Sequence, residues 1–308
     1  MSLNIALVGA GHMGKIHIEK LASLQDCLIA GVADIDFEKA QNLAQQYTVP
    51  FYNDYKELIS RSEGVIIATP TETHYQIARD FLEAGVHVLI EKPITSNQEE
   101  AKKLIELGEK NHLIVQVGFL ERFNPAFLKS LPLIKKPLII ESCRVSGFTG
   151  RSNDIDVILD LMIHDIDLIL TIIQEEVIDI KAQGVSFVSD KLDVASTRLE
   201  FANGCIANLN ANRISAKKER TLAIFEKNQN FFVDFLNRRV VISLKKNGGN
   251  IDTEEHLVDQ FDAVRHELSA FTQSIVKGTS PIVKGEDGMK ALALADQIKR
   301  YIADRKLS

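Results

Sequence analysis

Apolar and polar positions follow two different rhythms along the chain, and the change falls near residue 120. Before it, solid apolar runs alternate with stretches of helical spacing. N-I-A-L-V-G-A-G, C-L-I-A-G-V-A-D-I-D, G-V-I-I-A-T-P, H-V-L-I-E-K-P and L-I-V-Q-V-G-F read as buried strands, because an unbroken apolar run leaves no face for water. Helices are expected between them, over about 12–24, 37–47, 74–85 and 97–111. Gly85 stops one of these, and Ser96 or Asn97 caps the next. Repeated strand–helix units with central apolar strands specify a doubly wound parallel sheet.

After residue 120 the period shortens. R-F-N-P-A-F-L-K-S-L is expected to be helical and L-I-I-E-S-C-R-V-S-G-F to be a strand. A helix should span about Asp156 to Gln174. Six alternating segments follow: I-D-I-K-A-Q-G-V-S-F-V, V-A-S-T-R-L-E-F, C-I-A-N-L-N-A-N-R, R-T-L-A-I-F-E-K, F-F-V-D-F-L and V-V-I-S-L-K. In the third, Asn208, Asn210 and Asn212 alternate with Ala207, Leu209 and Ala211, so one face is polar and the other apolar. Two helices, about 261–277 and 287–305, close the chain. The fold class is α/β: residues 1–120 form an N-terminal doubly wound domain of Rossmann type. Residues 121–308 form a C-terminal α+β domain with a mainly antiparallel sheet.

Composition narrows the function classes. The chain has 308 residues, long for one core, with 45% hydrophobic and 25% charged residues and a formal net charge of −6. That sign disfavours a nucleic-acid partner but leaves room for a local basic pocket. Cys27, Cys143 and Cys205 are scattered and odd in number, which suits buried thiols in a reducing cytoplasm. No signal peptide or membrane span is expected. No metal site is expected either.

The first strand ends in V-G-A-G-H-M-G, which sets Gly9, Gly11 and Gly14 in G-x-G-x-x-G spacing around His12 and Met13, at the start of a helix. Asp34 closes the second strand about 20 residues later, where the dinucleotide fingerprint requires an acid. Gly9 permits the turn, Gly11 admits the pyrophosphate and Gly14 allows close packing. Asp34 would bind the ribose hydroxyls and, with Asp36, repel a 2′-phosphate, so NAD is expected and NADP less so. The plain alternative is a tight turn without ligand; flavin binding is a rival for which the chain is short.

Ligands on such sheets bind beyond the carboxyl ends of the strands. Thr69, Pro70, Thr71 and His74 in A-T-P-T-E-T-H, and Glu91 and Lys92 in E-K-P, lie there. His74 can line the crevice or only cap and pack its helix. Lys92 can hydrogen-bond a reacting hydroxyl or be a surface lysine paired with Glu91.

The helix V-I-L-D-L-M-I-H-D-I-D-L-I-L is apolar almost all round, which marks it as buried. At about 100° per residue, Asp160, His164 and Asp167 fall within roughly 60° of one another. Asp156 extends that stripe by one turn, and Asp165 lies nearly opposite, where a structural partner is expected. Asp160 and His164 are four apart, within side-chain reach, and can act in proton transfer or form a satisfied buried pair.

Taken together, V-G-A-G-H-M-G, V-A-D-I-D, A-T-P-T-E-T-H, E-K-P and L-D-L-M-I-H-D-I-D-L resemble the glucose–fructose oxidoreductase/inositol dehydrogenase (Gfo/Idh/MocA) family along essentially the whole chain. The resemblance implies a sugar or polyol dehydrogenase using NAD or NADP. Its catalytic lysine, aspartate and histidine fall on Lys92, Asp160 and His164. R-F-N-P-A and the apolar helix look most like the members that act on UDP-N-acetylglucosamine at C3. An anionic nucleotide sugar would call on Arg122, Arg151 and Arg213 with Asn124, and on Lys217, Lys218 and Arg220. A free polyol or monosaccharide substrate is the alternative, as is a non-catalytic NAD-binding redox sensor. A homodimer or homotetramer through the open sheet is implied by analogy.

Overall fold

The computed structural model describes residues 2–148, 155–258 and 262–306. The chain divides into two compact units, Met1–Leu120 with Asp262–Lys290, and Glu121–Phe261 with Ala291–Ser308.

In the first unit, β1 (Leu3–Val8), α1 (His12–Leu21), β2 (Cys27–Ala33), α2 (Phe37–Tyr47), β3 (Phe51–Tyr52), α3 (Lys56–Ile59), β4 (Gly64–Ile67), α4 (Thr71–Glu83), β5 (His87–Ile90), α5 (Gln98–Asn111) and β6 (Val115–Val117) follow in order. The six strands pair in parallel in the order β3-β2-β1-β4-β5-β6. That order puts a topological switch point between β1 and β4, where a crevice opens beyond the strand ends. The apolar runs are buried throughout: Ile5, Leu7, Ile66 and Leu89 are all inaccessible and pack with Ile18 and Leu21 of α1. Asn97 caps α5, its side chain accepting the Glu100 amide at 3.0 Å. The short β3 and α3 carry too few residues to show a period.

The second unit opens with a 3₁₀ turn, Leu120–Phe123, and a short helix α6 (Pro125–Ser130). The strands are β7 (Ile139–Val145), β8 (Val177–Val185), β9 (Val194–Phe201), β10 (Ile206–Asn212), β11 (Glu219–Phe225), β12 (Gln229–Asp234), β13 (Arg239–Lys245) and β14 (Ile251–Leu257). They form one sheet in the order β14-β13-β12-β11-β7-β10-β9-β8. Every pairing is antiparallel except β7 with β10. In β10, Ala207, Leu209 and Ala211 are buried while Asn208, Asn210 and Asn212 face outward, as the alternation predicts. β14 is not foreseen, because I-D-T-E-E-H-L has a single apolar residue at each end and pairs only as an edge.

The apolar helix departs from regularity. Ile158–Met162 is a π turn, and α7 proper runs Ile163–Ile172. The inner face of the sheet covers it: Ile158, Met162, Ile163, Ile166 and Ile169 are fully buried.

Two helices end the chain, α8 (Ala263–Lys277) and α9 (Gly285–Lys306). Here the division of the chain corrects the expected 121–308 domain. Asp262–Lys290 returns to the first unit, where Leu268 and Phe271 of α8 complete the core against β1, β4 and α1. Periodicity shows that a helix has a buried face but not which sheet buries it.

Candidate active site

The crevice of the first unit is built from the turn after β1. Gly9 has φ +102°, and a Cβ there would lie 2.4 Å from the Ala68 carbonyl oxygen of the neighbouring β4 end. A Cβ on Gly14 would meet the Gly9 carbonyl at 1.9 Å. Both positions therefore require glycine, one for conformation and one for closeness. Gly11 differs: nothing lies within 4 Å of where its Cβ would be. The space beside it is what a pyrophosphate needs. Gly11 is also the N-cap of α1 and offers no side-chain hydrogen bond. The first-turn N–H groups, at His12, Met13 and Gly14, are thus left for an anion.

Asp34 is held at this turn. Its Oδ2 accepts the Ala10 amide at 2.7 Å and its Oδ1 accepts the Asp36 amide at 2.9 Å. Each carboxylate oxygen has a second lone pair, so ribose hydroxyls can still be received. Asp34, Gly9, Gly11, Thr69, Pro70 and Ile77 line a cavity of about 790 Å³, together with Ile35, Asp36, Lys39, Asn53, Tyr55, Thr73 and Gln76. The size and mixed apolar lining fit the adenosine half of a dinucleotide. Lys39 is paired with Asp36 at 2.9 Å. Tyr55 donates to Asp80 at 2.8 Å, and burial followed by that bond pushes its phenol up to about 12. Asn53 and Tyr55 escaped notice in the sequence because they lie in the patternless stretch around β3 and α3.

Two expected crevice residues are placed otherwise. His74 is buried, with Nδ1 2.9 Å from the Pro93 carbonyl and Nε2 2.9 Å from the Thr69 carbonyl. It clasps the ends of two strands rather than lining the cavity. Burial lowers its pKa against the pull of both carbonyls. Glu91 is buried as well, its Oε1 2.7 Å from His17 Nε2, and its Oε2 accepts the Lys92 amide at 3.3 Å. Glu91 is therefore a buried residue engaged with His17 rather than a surface one. Lys92 itself is half-buried just beyond β5, joined to Pro93 by a cis peptide bond. Thr71 opens α4 and is likewise half-buried.

In the second unit the π turn rearranges the polar stripe. Asp156 is the cap: its Oδ1 accepts the amides of Ile158 and Leu159, both at 3.0 Å, and its Oδ2 meets Lys299 Nζ at 3.0 Å. Asp160 and His164 remain partly exposed. Asp167, grouped with them by an ideal helix, is 1% exposed. It takes a two-pronged bond from Arg122, Nε to Oδ2 at 2.8 Å and Nη2 to Oδ1 at 2.9 Å. A wider turn alters the phase between Asp160 and Asp167, seven residues apart across it. Asp165 is buried against Arg144, whose Nε and Nη2 reach its Oδ1 at 3.0 and 2.7 Å. Arg144 Nη1 also donates to Glu121 at 2.8 Å. Burial works against the Arg144 charge, but Asp165 and Glu121 outweigh it and hold the guanidinium protonated.

The expected substrate cations fare unevenly. Arg122 is committed to Asp167. Arg213 is 4% exposed and donates to Asp193 at 2.8 Å, to the Ile155 carbonyl at 2.8 Å and to Ser189 at 2.9 Å. Asn124 caps α6 through the Ala126 amide at 3.1 Å and spends its NH₂ on Glu121 and the Phe235 carbonyl. All three are engaged within their own unit. Arg151 lies outside the described residues. Arg220, 38% exposed at its side chain, donates to Glu121 Oε1 at 3.4 Å, the oxygen Arg144 already holds. Lys217 and Lys218 are exposed, the former paired with Glu219. Among the described residues no cluster of His, Cys, Asp and Glu could hold a metal ion, and no helix is long and apolar enough to cross a membrane.

Comparison with known proteins shows the family. Residues 3–119 match the model of the oxidoreductase family with an NAD-binding Rossmann fold, GFO_IDH_MocA, and residues 147–230 match the GFO/IDH/MocA C-terminal domain. The UDP-N-acetylglucosamine 3-dehydrogenase of Acidithiobacillus ferrooxidans is 35% identical over 304 residues, covering 96% of each chain. A solved structure of that enzyme superposes with a TM-score of 0.94 over 98% of each chain, at 34% identity. The myo-inositol 2-dehydrogenase of Thermotoga maritima is 26% identical, with 99% of this chain and 97% of the relative covered. The chain belongs to the Gfo/Idh/MocA family of NAD-binding oxidoreductases.

Proposed function

We propose that the protein is a nucleotide-sugar dehydrogenase that oxidises UDP-N-acetylglucosamine at C3, and that Lys92, Asp160 and His164 are its catalytic residues. The full-length likeness to a UDP-N-acetylglucosamine 3-dehydrogenase carries the substrate assignment. The helix that leaves Asp160 and His164 partly exposed while burying Asp165 and Asp167 supports the catalytic one.

The chemistry follows from the side chains. Oxidising a carbinol removes a proton from oxygen and a hydride from carbon. His164 takes the hydroxyl proton as general base. Lys92 donates a hydrogen bond to the same oxygen and stabilises its alkoxide character. Asp160, one turn from His164, orients the ring and favours its charged form. NAD, when bound, supplies the hydride acceptor; Gly9, Gly11, Gly14 and the start of α1 hold its phosphates, and Asp34 its ribose. Arg220 is the cation best disposed for the substrate's diphosphate, since its guanidinium shares an already engaged carboxylate oxygen and stays partly exposed. The outer face of the eight-stranded sheet, with Ile139, Phe225 and Phe232 at 41%, 38% and 37% exposure, suits pairing of subunits into a homo-oligomer.

A free polyol or monosaccharide is the second reading. It is favoured by the neutralisation of Arg122 and Arg213, two of the cations an anionic substrate would otherwise use, and by the likeness to an inositol dehydrogenase. Following NADH absorbance with UDP-N-acetylglucosamine, glucose and myo-inositol in turn decides between them. Turnover of a free polyol alone would sink the nucleotide-sugar assignment. Tight NADH binding with no turnover on any of them would point to a redox-sensing role instead.

A further inference from the structure

Four buried polar atoms in the first unit lack a hydrogen-bond partner within one neighbourhood: His17 Nδ1, Gln116 Oε1 and both carboxyl oxygens of Glu267. They come from three elements on the same side of the parallel sheet. Gln116 pairs in register with Leu89, which packs against α1 and α8. Glu91, two residues beyond Leu89, shares that face. His17 of α1 sits on Glu91 at 2.7 Å, and Gln116 Nε2 reaches the Glu267 carbonyl on α8 at 3.4 Å. Gly118 closes the pocket from the side, since a Cβ there would lie 3.0 Å from Glu91 Oε2.

The chemistry of these atoms is lopsided. With His17 Nε2–H donating to Glu91, all four are acceptors and none is a donor. An ionised Glu267 would add charge where the side chain is 0% exposed, beside a second carboxyl. One proton on Glu267 removes the charge and supplies the missing donor. Burial, and after it the Glu91 charge, both push this carboxyl well above the usual carboxylate range.

We propose that Glu267 holds a proton in the folded protein and that this neutral acid, packed with His17, Glu91 and Gln116, positions the end of β5 that carries Lys92. Glu267 is a positioning residue. It acts through Glu91, whose carboxyl receives the Lys92 amide. The consequence for turnover rests on the reading of Lys92 above; the protonation and the positioning do not.

The sign of the pH effect follows. A carboxyl raised in the folded state contributes stability that is full below its ordinary range and is lost as pH rises toward the raised value. Glu91 is the ionisable group that acts on it from the neighbouring strand, and His17 of α1 is bound to Glu91. Wild-type protein should therefore lose thermal stability from pH 6 to pH 9, whereas Glu267→Gln, neutral throughout, should lose much less.

Infrared spectra at neutral pH should show a protonated carboxyl absorption in the wild type that is missing in Glu267→Gln. Hydrogen exchange should find the amides of Glu91 and Lys92 about tenfold faster in Glu267→Ala and restored in Glu267→Gln. A missing carboxyl band, or equal pH dependence of stability in the wild type and Glu267→Gln, would overturn the protonation. Unchanged exchange in Glu267→Ala would overturn the positioning. If Glu267→Ala does not fold, Glu267→Asp, which shortens the acid, takes its place in the exchange experiment. None of these measurements uses substrate, so they fail independently of any failure of Lys92→Ala to lose turnover.

Discussion

Arg122 and Asp167 form a two-pronged ion pair, 2.8 and 2.9 Å, with Asp167 almost wholly inaccessible. That pair joins the 3₁₀ turn at the start of the second unit to the middle of α7. It takes Asp167 out of the exposed stripe that an ideal helix assigns it. It also takes Arg122 out of the pool of cations for an anionic substrate.

Breaking this pair from one side leaves a buried charge uncompensated. Arg122→Ala should cost about 3–5 kcal/mol of stability, seen as a lower chemical-denaturation midpoint. Arg122→Ala with Asp167→Asn should recover part of the loss. A fully stable Arg122→Ala with weakened substrate binding would restore Arg122 to the substrate-site candidates.

His164→Ala and Lys92→Ala should each lower kcat by about 10²–10⁴-fold while NADH affinity, followed by fluorescence, stays near wild type. Asp165→Asn should behave differently, because Asp165 pairs with Arg144 in the core. Its loss should appear in thermal stability before it appears in turnover. Wild-type turnover in Lys92→Ala or His164→Ala would remove that residue from the mechanism.

The glycines of the turn should separate folding from binding. Gly9→Ala adds about 1–3 kcal/mol of backbone strain and a clash with the Ala68 carbonyl, so it should lower both stability and NADH affinity. Gly11→Ala meets nothing in the protein. It should leave thermal stability unchanged and weaken NADH binding by about tenfold or more, by filling the space the phosphates need. Equal stability losses in the two variants would contradict this division.

Asp193 sets an acid limit on the second unit. Burial works against its charge, but the amides of Phe187 and Val188, then Arg213 and Ser189, outweigh it and hold its pKa well below the usual range. A carboxyl depressed in the folded state contributes stability above its ordinary range that is lost as pH falls. Wild type should thus lose stability below about pH 4 more steeply than Asp193→Asn, measured by denaturation midpoints across pH 3–7.

Arg220→Ala should raise the KM for UDP-N-acetylglucosamine about tenfold with little change in kcat, the signature of lost ground-state binding. An unchanged KM would leave the diphosphate to other groups or favour the uncharged substrate.

The sequence by itself determined most of the elements and the nucleotide turn. Solid apolar runs can only be central parallel strands, and Gly9, Gly11, Gly14 and Asp34 announce their ligand through spacing along a short stretch of chain. The tertiary structure decided everything that depended on partners distant in sequence. It turned Asp167, Arg122, Arg213 and Asn124 into internal supports, and it made His74 a clasp between two carbonyls. It drew α8 back to the first unit, bringing Glu267 to the side of Glu91. A π turn, which no periodicity encodes, reset which faces of the buried helix are seen by water. Local patterns record which positions are buried; which charges cancel there depends on side chains brought together only by folding.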